Sequence, residues 1–160
     1  MIREQTIGLA SRGLDRLVRP SREPPPIDPE GVRRILVVKP CCIGDVLMAT
    51  PAIHALKAHF SQAAVDVATR AWCAPVLATN PDVSAIVPYP DVVRAGSFTR
   101  LVADLRNRAY DLGISLDRSP VVAAALTLAG IPVRAGIDSG GRGTGLTHPP
   151  RPAPGQHETD

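Results

Sequence analysis

Residues 39–60 read KPCCIGDVLMATPAIHALKAHF and bring two adjacent cysteines, a glycine and a lone aspartate to the point where an apolar run gives way to a helical one. Three chemistries compete for such a turn. Cys41 and Cys42 suggest a metal half-site or a redox pair, but adjacent cysteines lack C-x-x-C spacing. Cys73 lies on a different element, and His54 and His59, five apart, fall on different faces of a helix. The plain alternative is that the two cysteines are small residues in a tight turn. A phosphate loop is the second candidate. The turn has neither G-x-G-x-x-G nor G-x-x-x-x-G-K-[ST], and the later glycines 140, 141, 143 and 145 match neither pattern and precede no helix. The third is the carboxylate of Asp45, with Gly44 giving the backbone freedom to seat it. Asp45 is either a helix cap, stabilising by about 1 kcal/mol, or a general base facing a substrate hydroxyl. The helix dipole would keep such a base ionised, and positioning would matter more than basicity.

The elements around this turn alternate. RRILVVK (33–39) is a β-branched run suited to a buried parallel strand. A helical stretch then runs to Phe60, and AVDVATR (64–70) alternates as a second strand. A short helix ends near Asn80-Pro81, SAIVPY (84–89) is a third strand, and residues 97–111 form an amphipathic helix with Phe98, Leu101, Val102 and Leu105 on one face. DLGISLD (111–117), a helix over 118–130 ended by Gly130, and IPVRAGID (131–138) complete the series. Strands separated by helices predict an α/β fold, a Rossmann-like parallel sheet of about five strands with flanking helices over residues 33–138. Ligands of such sheets meet the carboxyl ends of the strands, which puts the 39–45 turn on the functional edge. Residues 1–19 read as an amphipathic helix, 20–32 as a proline-rich linker, and 139–160 as an irregular Gly/Pro-rich loop and tail.

The 160-residue length suits one domain with a sizeable core. Aromatic residues make up only 3% of the chain, too few for base-stacking surfaces, and a net charge of +3 without basic blocks gives no support for a nucleic-acid partner. Charges at Arg3, Glu4, Arg12, Asp15 and Arg16 interrupt any signal-peptide core. The longest uncharged stretch, Ser119–Val133, is shorter than the roughly 20 apolar residues a bilayer span needs. A cytoplasmic location is therefore expected, with three cysteines in a reducing compartment. A basic interfacial anchor at residues 1–19 is the alternative to a helix that packs on the domain or projects from it.

Taken in order, RILVVKPCCIGDVLMATPAIHALKAHF, the N-P-D turn at 80–82, YDLGISLDRS at 110–119 and AGIPVRAGID at 129–138 resemble the N-terminal half of glycosyltransferase family 9, the heptosyltransferases and related enzymes of bacterial surface-polysaccharide assembly. The resemblance runs from about Arg33 to the C-terminus. It implies the first of two Rossmann-like domains in a GT-B arrangement and sugar transfer with inversion and without a metal or other cofactor. Consistently, the chain has no D-x-D triplet. By resemblance, Asp45 matches the aspartate that deprotonates the acceptor hydroxyl, and Gly44 shapes its seat. Lys39 and Arg118 lie on the same edge and either meet phosphate or carboxylate groups of an acidic glycan or glycolipid acceptor, or are ordinary surface charges. Asp117 either orients acceptor hydroxyls or caps the following helix.

Two departures accompany the resemblance. Cys41 and Cys42 stand where many relatives carry small hydroxyl residues. The family's second domain, which supplies most of the nucleotide-sugar site, has no counterpart in the 160 residues, so this chain alone is expected to be inactive. A non-catalytic glycan- or partner-binding module is the alternative reading, and a thiol sensor at Cys41-Cys42 a third. A lipid-linked acceptor would make peripheral contact with the inner face of the cytoplasmic membrane sensible.

Overall fold

A computed structural model of the chain describes residues 25–138 and 144–149. The expected N-terminal helix, most of the linker and most of the tail lie outside these residues. Five parallel strands form one sheet: β1 (Arg34–Val38), β2 (Ala64–Thr69), β3 (Ala85–Pro88), β4 (Leu112–Ser115) and β5 (Val133–Gly136), in the order β3-β2-β1-β4-β5. β1 is central because both of its faces are apolar. Ile35, Leu36 and Val37 are completely buried, and full burial of such side chains contributes roughly 1.5–3 kcal/mol each. Its register runs Arg34 to Ala64 on one side and Ile35 to Leu112 on the other.

Alternation along β1 divides the core into two layers. Ile35 and Val37 pack with Val65, Val67 and Leu77 and with the helices α1 (Ile43–Met48) and α2 (Thr50–His59). Leu36 and Val38 pack with α3 (Ala95–Asn107) and α4 (Pro120–Leu128) on the opposite face. The sheet is thus doubly wound, as the alternating sequence predicts. Two expected helices differ in detail. Residues 74–77 form a single 3-10 turn, with Pro75 near its start. The helix expected to run unbroken to Phe60 is interrupted at Ala49, because Pro51 has no N–H to offer the Leu47 carbonyl. The Thr50 hydroxyl donates to that carbonyl instead, at 2.8 Å.

Residues of two stretches that carry the resemblance, the N-P-D turn and the Y-D pair, hold the fold together. The Tyr110 hydroxyl donates to Asp66 Oδ2 at 2.8 Å across the α3/α4 layer, and Arg34 reaches the same oxygen at 3.3 Å. Asp111 accepts from the backbone N–H groups of Arg33 and Arg34 at 2.8 and 2.9 Å, fixing the start of β1. In the N-P-D turn Asn80 accepts from Asp82 N–H, and Asp82 pairs with His54 on α2.

Gly130 ends α4 as expected. Its φ is 78°, Ile131 N–H bonds to Leu126 C=O, and Gly130 N–H bonds to Thr127 C=O, the paired pattern of a Schellman cap. Gly130→Ala meets no steric neighbour, since an added Cβ has nothing within 4 Å, yet must adopt left-handed backbone. Its expected cost is about 1 kcal/mol, read from the shift in urea midpoint at unchanged m value.

The Gly/Pro-rich stretch expected to be irregular has one organised part. Residues 144–149 lie along β5, where Ala135 and His148 form a parallel bridge. Arg134 donates from Nε to the Gly145 carbonyl, its own N–H bonds to the Thr147 hydroxyl, and its carbonyl accepts from the Thr147 and His148 N–H groups. Desolvation pushes the Arg134 guanidinium below its ordinary value.

Candidate functional site

Strand order reverses at β1, whose neighbours β2 and β4 lead away in opposite directions, so the carboxyl ends of β1 and β4 flank the crevice in which open α/β sheets bind ligands. The turns leaving these strands are tied across it. Lys39 N–H bonds to Ala68 C=O, Arg70 N–H to Pro40 C=O, and Leu116 N–H to Val38 C=O. Lys39, Asp45, Asp117 and Arg118 therefore all leave from one edge.

Lys39 and Asp45 meet directly. Lys39 Nζ lies 2.9 Å from Asp45 Oδ2, with the lysine side chain 16% exposed and the aspartate 58% exposed. A mostly buried cation thus anchors a carboxylate that remains open to solvent. Asp45 is the third residue of α1, and the N-cap position belongs to Cys42, which makes no capping bond. Asp45 is thus not the N-cap residue: it lies in the first turn of α1, and its carboxylate pairs with Lys39.

Gly44 is also corrected. It lies inside α1 without a positive φ, so its place does not require glycine's backbone freedom. An added Cβ would meet nothing within 4 Å, and the missing side chain leaves open space beside Asp45.

Asp117 does not cap α4. Ser119 is the N-cap, accepting from Val121 N–H, while Asp117 Oδ1 accepts from Ser119 N–H at 2.7 Å and closes the turn before the helix. The Ser115 hydroxyl donates to the Asp117 carbonyl at 2.7 Å. Arg118 is exposed on the same turn and has an interaction partner of its own.

Cys41 and Cys42 are not independent small residues, because their sulfurs are bonded to each other. Cys73 is free and completely buried. Among the described residues no three His, Cys, Asp or Glu side chains come together as a metal-ligand set. None of the described helices is long and apolar enough to cross a membrane.

Sequence reasoning passed over Arg70 and Tyr89, which follow β2 and β3 on this edge. Arg70 Nε is buried without a hydrogen-bond partner. Tyr89 is buried, and its phenol is pushed up by desolvation and then by Asp117, against a downward pull from Arg70. These couplings join Arg70 and Tyr89 to Asp117 on β4's turn. No sequence signal marked Arg70, since an unpaired Nε is a product of packing. Exposed apolar residues also follow the carboxyl ends of strands in the sequence: Ile43, Leu47, Met48, Trp72, Val92, Val93 and Ile137.

The chain is 35% identical over 106 residues to lipopolysaccharide heptosyltransferase 2 of Escherichia coli K12, covering 64% of this chain and 30% of that protein. It is 32% identical over 91 residues to lipooligosaccharide heptosyltransferase 2 of Haemophilus ducreyi, covering 54% and 25%. The solved structure of E. coli ADP-heptose LPS heptosyltransferase II aligns with a TM-score of 0.63 at 34% identity, over 71% of this chain and 33% of that one. A family 9 glycosyl transferase from Veillonella parvula, 18% identical with a TM-score of 0.66, shares the fold over 76% and 36%. No protein-family model matches the chain. The homologues are thus lipopolysaccharide heptosyltransferases, as the resemblance implied, and the chain spans about a third of their length.

Proposed function

We propose that this chain is the acceptor-side domain of a glycosyltransferase of lipopolysaccharide assembly, with Asp45 as the general base. The observation that carries this reading is the solvent-open Asp45 carboxylate, anchored by Lys39 at the switch point of the sheet. An acceptor hydroxyl within hydrogen-bond reach of Asp45 gives up its proton as its oxygen attacks the anomeric carbon of a nucleotide-linked sugar. The new C–O bond forms on the face opposite the departing nucleoside diphosphate, which inverts the anomeric centre. No metal or other cofactor enters the step as proposed. The open space beside Gly44 admits the acceptor ring, and Asp117 with Tyr89 lines the β4 side.

Arg70 adds an element that the sequence did not suggest. A buried guanidinium nitrogen without an acceptor suits a phosphate or carboxylate brought by an acidic glycolipid. Lys39 and Arg118 belong to the same recognition edge. Arg70→Gln is expected to weaken binding of an acidic core oligosaccharide about tenfold, the value of one hydrogen bond to a charged group. Calorimetric titration checks this, and a neutral oligosaccharide should show no difference between the two proteins.

The nucleotide sugar is assigned to a donor-binding half like the portion of the relatives that this chain does not span. The exposed apolar residues that follow these strand ends, Trp72 and Met48 among them, are where such a half would pack. The chain alone is accordingly proposed to bind acceptor without transferring sugar. Residence in the cytoplasm, with peripheral contact at the inner face of the membrane that holds a lipid-linked acceptor, is part of the same proposal.

The test is a titration of the isotopically labelled chain followed by NMR. Acidic core oligosaccharide should shift the amides of Lys39, Gly44, Asp45, Arg70 and Asp117, and nucleotide-heptose alone should shift none of them. Shifts confined to the opposite edge of the sheet, or donor binding at these residues, would overturn the assignment.

A further inference from the structure

We propose that Cys41 and Cys42 are a reversible thiol–disulfide exchange site for low-molecular-weight disulfides and thiols, and that its state sets how firmly Asp45 is seated. The two sulfurs are already joined, and both residues are within reach of solvent: Cys41 is half-buried and Cys42 exposed. The third cysteine offers no competing partner, since Cys73 is free and completely buried on the 3-10 turn side of the sheet. Neither sulfur is committed elsewhere. Cys42 occupies the N-cap position of α1 without making a side-chain capping bond.

The location gives the pair its consequence. Lys39 lies two residues before Cys41, Asp45 lies three residues after Cys42, and their side chains meet at 2.9 Å. The disulfide closes a small ring around the peptide that joins the two cysteines, within the segment connecting anchor to carboxylate. Reduction opens that ring and returns rotational freedom to the turn, so the first residues of α1 fray more readily. In a reducing compartment the dithiol is the resting form, and an oxidative load closes it.

The exchange balances without any bound cofactor. One thiolate of the pair attacks a small disulfide such as oxidised glutathione, forming a mixed disulfide and expelling one glutathione thiolate. The neighbouring cysteine then attacks the mixed disulfide, forming the Cys41–Cys42 bond and expelling the second. Two electrons and two protons pass from the pair to the small disulfide, which leaves as two thiols. Two glutathione molecules reverse the sequence.

Equilibrating the chain in glutathione buffers of graded ratio, trapping with an alkylating agent and peptide mapping by mass spectrometry tests the exchange. After trapping, the reduced form should carry two alkyl groups at residues 41 and 42. The oxidised form should carry none there and be two hydrogens lighter than the unalkylated dithiol, with a reversible titration between the two forms. Cys42→Ser and Cys41→Ser should each leave only a mixed disulfide. Two thiols that stay alkylatable in excess oxidised glutathione, or a pair that accumulates as mixed disulfide without closing, would overturn the site. Hydrogen exchange tests the consequence: the amides of Val46 and Ala49, whose bonds run back to residues 42 and 45, should exchange about tenfold faster in the dithiol form. Equal protection in both forms would overturn the coupling to α1. What the coupling does to catalysis rests on the reading of Asp45 as the base. Because thiol masses and amide exchange need no sugar substrate, failure of that reading would be seen separately, in the oligosaccharide titration.

Discussion

Asp45→Asn, placed in a polypeptide that carries both this chain and a donor-binding half, is expected to slow sugar transfer by about a hundred- to ten-thousand-fold, the range over which a positioned general base contributes. Asparagine keeps the shape of the side chain and loses the ability to take a proton. Binding should change little, because the acceptor sees nearly the same surface. Stability should also change little. The Lys39–Asp45 pair has an aspartate 58% exposed, and pairs of that kind contribute about 0–1 kcal/mol. Initial rates at saturating acceptor, measured beside thermal unfolding of the same variant, separate the two effects. An unchanged rate would remove Asp45 from the chemistry, and a large drop in unfolding temperature would make its role structural.

The largest effect on stability is expected at Asp66. Asp66 is 2% exposed and receives the Tyr110 hydroxyl at 2.8 Å and an Arg34 nitrogen at 3.3 Å. Asp66→Ala strands a buried phenol and leaves an arginine that is 44% exposed and can turn to water. The expected loss is about 3 kcal/mol, most of it the cost of an unpaired buried donor. Tyr110→Phe should cost less, about 1 kcal/mol, because the carboxylate keeps its arginine. The two variants also separate in alkali. Desolvation first, and the Asp66 carboxylate second, push the Tyr110 phenol above its ordinary value of 10.0. Above pH 10 the unfolded chain releases that proton while the folded one retains it, so the unfolded state binds fewer protons and stability falls with rising pH. Denaturant titrations from pH 9 to 11 should show a steeper decline in the parent than in Tyr110→Phe. Equal slopes would mean that this tyrosine does not govern the alkaline limb.

The sheet and its two layers were legible because period-two and β-branched runs reflect local backbone geometry, and β1 through β5 fall where those runs are. The break at Ala49 was less visible. It depends on one carbonyl losing its donor to Pro51 and recovering one from the hydroxyl of Thr50, a substitution that leaves the apolar periodicity unchanged. The Y-D pair was recognisable as a motif but not as a structural one, since its partners Asp66, Arg33 and Arg34 are at least 44 residues away. Asp45 and Lys39 could be assigned to one edge from topology alone, whereas their contact required α1 to turn back over the strand end. Arg70 had no signal, and Gly44 misled. The residue type suggested unusual backbone, and what the structure keeps there is room.

The bridge at His148 bears on how the molecule avoids its own kind. An open parallel sheet ends in two strands with unpaired backbone groups, and such edges recruit further strands into aggregates. Here β5 is covered by residues 144–149, held down through Arg134, while β3 is only four residues long and finishes on Pro88. With both flanks blunted, any oligomers of the isolated chain should be stacked through side chains rather than zipped through main chain. They should then disperse in mild non-ionic detergent and stay dark to amyloid dyes.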